Sequence, residues 1–132
     1  MDTLNSPVYK RIAAWCLIHA LIWGPLVSAN ANAGADDLSE TVQYLLDFVK
    51  TSECRFYRNN TEHTAKEAVE HMKRKYAYFK EKIKTPEDFI RLTATRSTIS
   101  GKRYYVILKD GKRITSEAWL LQALETYRQQ QK

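Results

Sequence analysis

The side chains that could carry chemistry are few once the N-terminal segment is set aside: one cysteine, two histidines and a scatter of basic and hydroxyl residues. Cys54 with His71 could form a thiol nucleophile and its base, and Arg58 or Lys75 nearby would lower the thiol pKa. Against this, cysteine is among the most often buried residue types, and a lone buried thiol is usually inert. Cys54 and His71 are therefore the catalytic candidates, with burial the favoured reading of the thiol. Arg58, Asn59, His71, Lys75, Ser97 and Ser100 form a second set, suited to a small anion. The bland alternatives are a flank histidine bonded to a nearby loop and a hydroxyl-rich loop that satisfies its own backbone. Ser100-Gly101 lacks the glycine before the serine that a nucleophile elbow needs. The chain has neither a glycine-rich phosphate loop nor carboxylates paired for acid–base work, and no cofactor is implied. His63 and His71, read as one helical run, lie about two turns apart, too far to share an ion, so no metal site is expected.

These residues must be positioned by a small domain behind a leader. Lys10 and Arg11 close a short polar segment, residues 12–27 carry no charge, and residues 28–33 (SANANA) are small and polar. That order is the pattern of a secretory signal peptide, with an A-x-A site ending at Ala33 or Ala31. The apolar run is shorter than the roughly 20 residues a membrane span needs, and Gly24-Pro25 interrupts it. Cleavage after Ala33 removes Cys16 and His19. It leaves one domain over residues 34–132, with Cys54 alone, so no intramolecular disulfide can form. The whole chain of 132 residues has a formal charge of +6. Loss of Asp2, Lys10 and Arg11 lowers it by one, an excess that aids solubility and attracts anions weakly. The expected compartment is the periplasm, where nucleic acid is a poor partner. The basic run at 71–75 reads as a solvated helix face.

Along the domain, residues 34–37 read as a flexible lead. Asp37 with Glu40 resembles a capping box, and Leu38, Val42, Leu45, Leu46 and Val49 follow at helical spacing, giving a first helix over about 38–51. Residues 52–63 break the period and suit a short extended piece ending in a turn at Asn59-Asn60. Thr64-Ala65-Lys66-Glu67 is a capping box. It opens a helix to about residue 83, with His71 and Lys75 neighbours on one flank. Thr85-Pro86 starts a third helix, which ends near Ala94. Residues 95–102 form a loop. Residues 104–108 are β-rich, and Asp110-Gly111 is a strong hairpin signal. Thr115 or Ser116 caps a fourth helix whose polar end, residues 128–132, is expected to fray. Trp119 and Tyr127 lie on its apolar stripe and read as core. The fold class is α+β: about four helices packed on a small antiparallel β-hairpin sheet.

Five motifs in order then carry a resemblance: Ser52-x-Cys54-x-Phe56-x-Arg58-Asn59, Ala68-x-x-His71-Met72-x-x-Lys75, Glu87-Asp88-Phe89-Ile90, Ser97-x-x-Ser100-Gly101-x-x-Tyr104 and Trp119-Leu120. Over residues 38–128 the chain resembles the YfeK-like family of small exported bacterial proteins of unknown function. It departs at Asn60, where the family pattern has Gly, and at Met72, where Leu is usual. The first departure counts against a tight glycine turn as a binding loop; the second is a tolerated core exchange. The resemblance implies compartment and fold, and no mechanism.

The expectation is a monomeric periplasmic binding or accessory module without catalysis, taking a small anionic ligand or a partner protein, with no membrane span after cleavage. The alternatives are a thiol enzyme using Cys54 with His71 and a structural module for protein–protein contact in the envelope.

Overall fold

The computed structural model describes residues 33–132, with side chains from residue 37 onward. The signal-peptide reading, with Cys16 and His19, lies outside the described residues. Helix α1 spans Ala33–Thr51 and α2 Ala65–Phe79, the latter extended by a 3-10 turn at Lys80–Lys82. Helix α3 spans Pro86–Thr93 and α4 Ser116–Gln130. The strands are β1 (Arg55–Arg58), β2 (Thr61–His63), β3 (Tyr105–Ile107) and β4 (Arg113–Thr115). They form one antiparallel sheet in the order β2-β1-β3-β4. The architecture is α+β, with four helices on a small antiparallel sheet. Among the described residues no helix is long and apolar enough to cross a membrane.

Three of the four helices start where their capping chemistry sits. The Thr64 hydroxyl accepts from the Glu67 amide at 3.2 Å, and the Glu67 carboxylate accepts from the Thr64 amide at 2.8 Å, so two otherwise orphaned donors are satisfied reciprocally. Thr85 accepts from the Asp88 amide, with Pro86 at the first helical position. Thr115 accepts from the Ala118 amide. Helix α1 departs from expectation. It begins at Ala33, so residues 34–37 are helical and Asp37 is an interior residue. Its carbonyl accepts from the Thr41 hydroxyl at 2.7 Å. No proline interrupts this stretch, and alanine favours the helix.

A second departure is β2. The extended piece proved to be the first strand of a hairpin. Asn59 and Asn60 have φ of 49° and 67°, the left-handed pair that a two-residue hairpin turn requires and that asparagine tolerates. A tight turn therefore forms without the glycine. The far end of α4 also differs, remaining helical to Gln130. Tyr127 stacks on Tyr44 with ring centroids 4.3 Å apart, and Arg128 pairs with Glu87 at 2.7 Å, so the end is anchored. Tyr127 is half-buried at that margin.

The core lies between the helices and one face of the sheet. Phe56 and Val106 are register partners on β1 and β3, both buried, and side chains two residues apart on a strand share a face. Leu45 and Val49 of α1, Phe89 and Ile90 of α3 and Leu120 and Leu124 of α4 are all less than 2% exposed. Trp119 packs on Phe48 and Phe56, with centroids 4.6 and 5.7 Å away. The opposite sheet face carries Tyr57 and Tyr105, and among the described residues no helix packs on it.

Candidate functional site

Strand periodicity places the first two site residues. Arg58 lies two after Phe56 and Tyr104 two before Val106, so both point to the helix side. The β1–β3 register pairs Tyr57 with Tyr105; one step further along, Arg58 stands opposite Tyr104. Helix α2 then brings His71 over them. His71 Nε2 lies 3.2 Å from the Tyr104 hydroxyl, and the rings meet edge to face at 5.6 Å. Lys75, one turn on, donates from Nζ to the Arg96 carbonyl at 2.8 Å and stands 5.5 Å from the centre of the Tyr104 ring.

The electrostatics of this group are one-sided. Burial pushes the His71 imidazole down to about 4, and the charges of Arg58, Lys75, Arg74 and His63 push the same way. His71 is therefore neutral near pH 7. Lys75 is lowered by burial and then by Arg58. Burial raises the Tyr104 hydroxyl, and Arg58 pulls it back. A carboxylate in the centre would reverse these directions for His71 and Lys75. Glu67 senses Arg58, and its Oε2 accepts from both the Thr64 amide and the Thr64 hydroxyl. Neither Arg58 nor Lys75 forms an ion pair with a described residue.

Beneath Arg58, His63, His71 and Tyr104 lies a narrow cavity of about 40 Å³, walled mainly by apolar side chains such as Phe56, Met72 and Leu120. It has room for about three waters. His63 and His71 both line it. The two-turn separation expected between them does not apply, because His63 lies on β2 and the chain turns at Thr64. Among the described residues no group of three or more His, Cys, Asp or Glu is arranged to hold a metal.

The remaining candidates serve the loop. Ser97 is buried, close to the Tyr104 hydroxyl, and its hydroxyl accepts from the amides of Ile99 and Ser100 at 3.3 and 3.2 Å. Ser100 donates to Asn59 Oδ1 at 2.9 Å, tying the 95–102 loop to the β1–β2 turn. Arg58, His71 and Lys75 thus converge with Ser97 behind them, while Asn59 and Ser100 brace the rim.

Cys54 is not part of this group. It precedes β1, whereas Arg58 ends it, and four residues of strand span about 13 Å. The thiol donates to the Ser52 carbonyl at 3.5 Å and sits half-buried in a groove with Phe48, Leu108 and Trp119. The pairing of Cys54 with His71 is not formed, because β1 holds them at opposite ends. In the sequence Tyr104 reads only as the start of a β-rich run. Its place in the Ser97-x-x-Ser100-Gly101-x-x-Tyr104 motif was the available signal.

No solved structure matches the chain. The protein is 32% identical over 89 residues to the uncharacterized protein YfeK of Salmonella typhimurium, covering 67% of this chain and 72% of that one. Residues 36–128 match the family of unknown function DUF5329, a span that includes every residue of the Arg58–His71–Lys75–Tyr104 cluster. The chain belongs to the DUF5329 family of unknown function.

Proposed function

We propose that this protein is an exported, non-catalytic binding module that takes a small anion, a carboxylate or a phosphate, between Arg58, Lys75 and the Tyr104 hydroxyl. The observation that carries this reading is the convergence of two half-buried cations with no ion-pair partner among the described residues. A guanidinium and an ammonium on one side of a partly desolvated site favour a negative ligand, which would form charge-assisted hydrogen bonds with both. His71, neutral and bonded to Tyr104, orients the hydroxyl. Ser97, Ser100 and Asn59 hold the loop that forms the rim. Export rests on the order of charge, apolar run and small residues within 1–33, and places the module in the periplasm.

The test is a titration with inorganic phosphate, and separately with acetate, at constant ionic strength, followed by nuclear magnetic resonance of the Arg58 guanidinium and the His71 ring. Saturable shifts at both groups support the reading. Arg58→Gln should weaken binding by about ten-fold, the usual cost of losing a charge-assisted contact. Shifts that grow linearly with anion concentration and persist in Arg58→Gln would sink it.

A further inference from the structure

The sheet face turned away from the helices carries a second arrangement. Tyr57 and Tyr105 are neighbours across β1 and β3. Arg113 of β4 turns inward and lays its guanidinium over both rings, 4.5 Å from the centre of Tyr57 and 4.0 Å from that of Tyr105. Stacking of this kind fixes a planar guanidinium and leaves its in-plane donors free. A positioned fork thus stands above β1 and β3, inside the open edge of β4.

The groove at this fork is also lined by Lys102 and Arg103 and by Asn59 and Asn60 of the β1–β2 turn, and by no carboxylate. The Ser100 hydroxyl donates to Asn59 Oδ1 at 2.9 Å. That bond ties the loop carrying Lys102 to the turn and leaves the N–H donors of the Asn59 amide uncommitted. The carboxylates bordering the groove are held by arginines. Glu117 is 3.5 Å from Arg103, and Glu62, the register partner of Tyr57, is 3.1 Å from Arg55. Lys102 and Arg113 have no ion pair among the described residues. With Arg103 offset by Glu117, the groove keeps two uncompensated positive charges, on Lys102 and Arg113.

We propose that this groove is a second anion site and that it takes a phosphate dianion, free or as a phosphomonoester. Such a group carries about −1.5 to −2 charges at neutral pH and three terminal oxygens. The Arg113 fork takes two of the oxygens side by side, and Lys102, a point charge on a flexible stem, meets the third. A carboxylate has one charge and two oxygens, all engaged by the fork. A phosphodiester likewise has one charge and leaves half of the excess unmatched. A sugar ring or a base would need the tyrosine faces, which Arg113 already covers. The inference does not rest on the Arg58 reading, because Tyr57 and Arg58 are consecutive on β1 and point to opposite faces of the sheet.

The experiment titrates the full domain with inorganic phosphate, methyl phosphate, dimethyl phosphate and acetate at equal ionic strength, observed at the Arg113 guanidinium and the Tyr57 and Tyr105 rings. The expected result is saturable shifts at all three groups with inorganic phosphate, and binding weaker by about ten-fold for dimethyl phosphate and acetate. Methyl phosphate binding as tightly as phosphate assigns the site to esters, and methyl phosphate binding less tightly assigns it to the free ion; both outcomes support the dianion. Arg113→Gln should weaken phosphate binding by about ten-fold, and Lys102→Gln and Arg113→Lys should each weaken it several-fold, the latter because lysine lacks the flat fork. Lys66→Gln, which removes the same charge on α2, should change affinity less than about two-fold. Equal losses in Arg113→Gln and Lys66→Gln would overturn the proposal, as would acetate binding as tightly as phosphate. Shifts at His71 with none at Tyr57 and Tyr105 would also overturn it, while leaving the Arg58 site standing.

Discussion

Lowering the pH should destabilise this fold well before its carboxylates titrate, through His71. The imidazole is held down to about 4 in the folded protein, by burial first and by Arg58 next, against an ordinary value of 6.5. Between those two values the unfolded chain binds a proton that the folded one does not, so stability falls as pH drops through the window. At about 1.36 kcal/mol per unit, a shift of this size corresponds to about 3 kcal/mol for a fully buried group. The ring is only half-buried, and solvent screening brings the effect to about 1–2 kcal/mol. For a domain of about a hundred residues that is a fall in Tm of about 5–10 °C between about pH 7.5 and pH 5. Glu67, Glu87 and Asp88 have carboxyls lowered by their hydrogen-bond partners. Their stabilisation is intact above the ordinary carboxylate range and is lost only as pH falls below it, so they leave the upper window clear. The assay is thermal denaturation of the wild type and His71→Gln across this range. The variant should lose less than about 2 °C over the same interval. An equal loss in both proteins would refute the assignment of the effect to His71.

Other substitutions test the frame. Leu120→Ala, at a fully buried site on α4, should cost about 2–5 kcal/mol by denaturant unfolding. Thr64→Ala removes one half of the α2 capping box and should cost about 1 kcal/mol in the same assay. Cys54→Ser should leave both the His71 titration and anion binding unchanged, because the thiol lies beyond the opposite end of β1; a shifted His71 midpoint would show that the two residues communicate.

Local signals in the chain carried most of the architecture. The Thr64, Thr85 and Thr115 caps and the Asp110-Gly111 turn each act within a few residues, so α2, α3, α4 and the β3–β4 hairpin could be placed from spacing alone. Strand β2 could not. Thr61-Glu62-His63 has neither an apolar alternation nor a β-branched run to mark it, and it exists because Asn59 and Asn60 reverse the chain onto β1. The start of α1 was obscured because Asp37 looked like a cap, although nothing upstream forbids continuation of the helix. The site was legible as a set of residue types and illegible as a geometry. His71 meets Tyr104 across 33 positions and Ser100 meets Asn59 across 41, and both contacts depend on the pairing of β1 with β3. That register also explains why Arg58 comes to Tyr104 while Cys54 does not come to His71. The outward Tyr57–Tyr105–Arg113 stack depends on the same pairing.

The anion site proposed at the Arg58, His71, Lys75 and Tyr104 cluster is tested most directly by the His71 midpoint. An anion seated there favours the imidazolium, so saturating phosphate should raise the midpoint from about 4 by at least about one unit, with no such rise in Arg58→Gln. A midpoint that is the same with and without phosphate would contradict the claim.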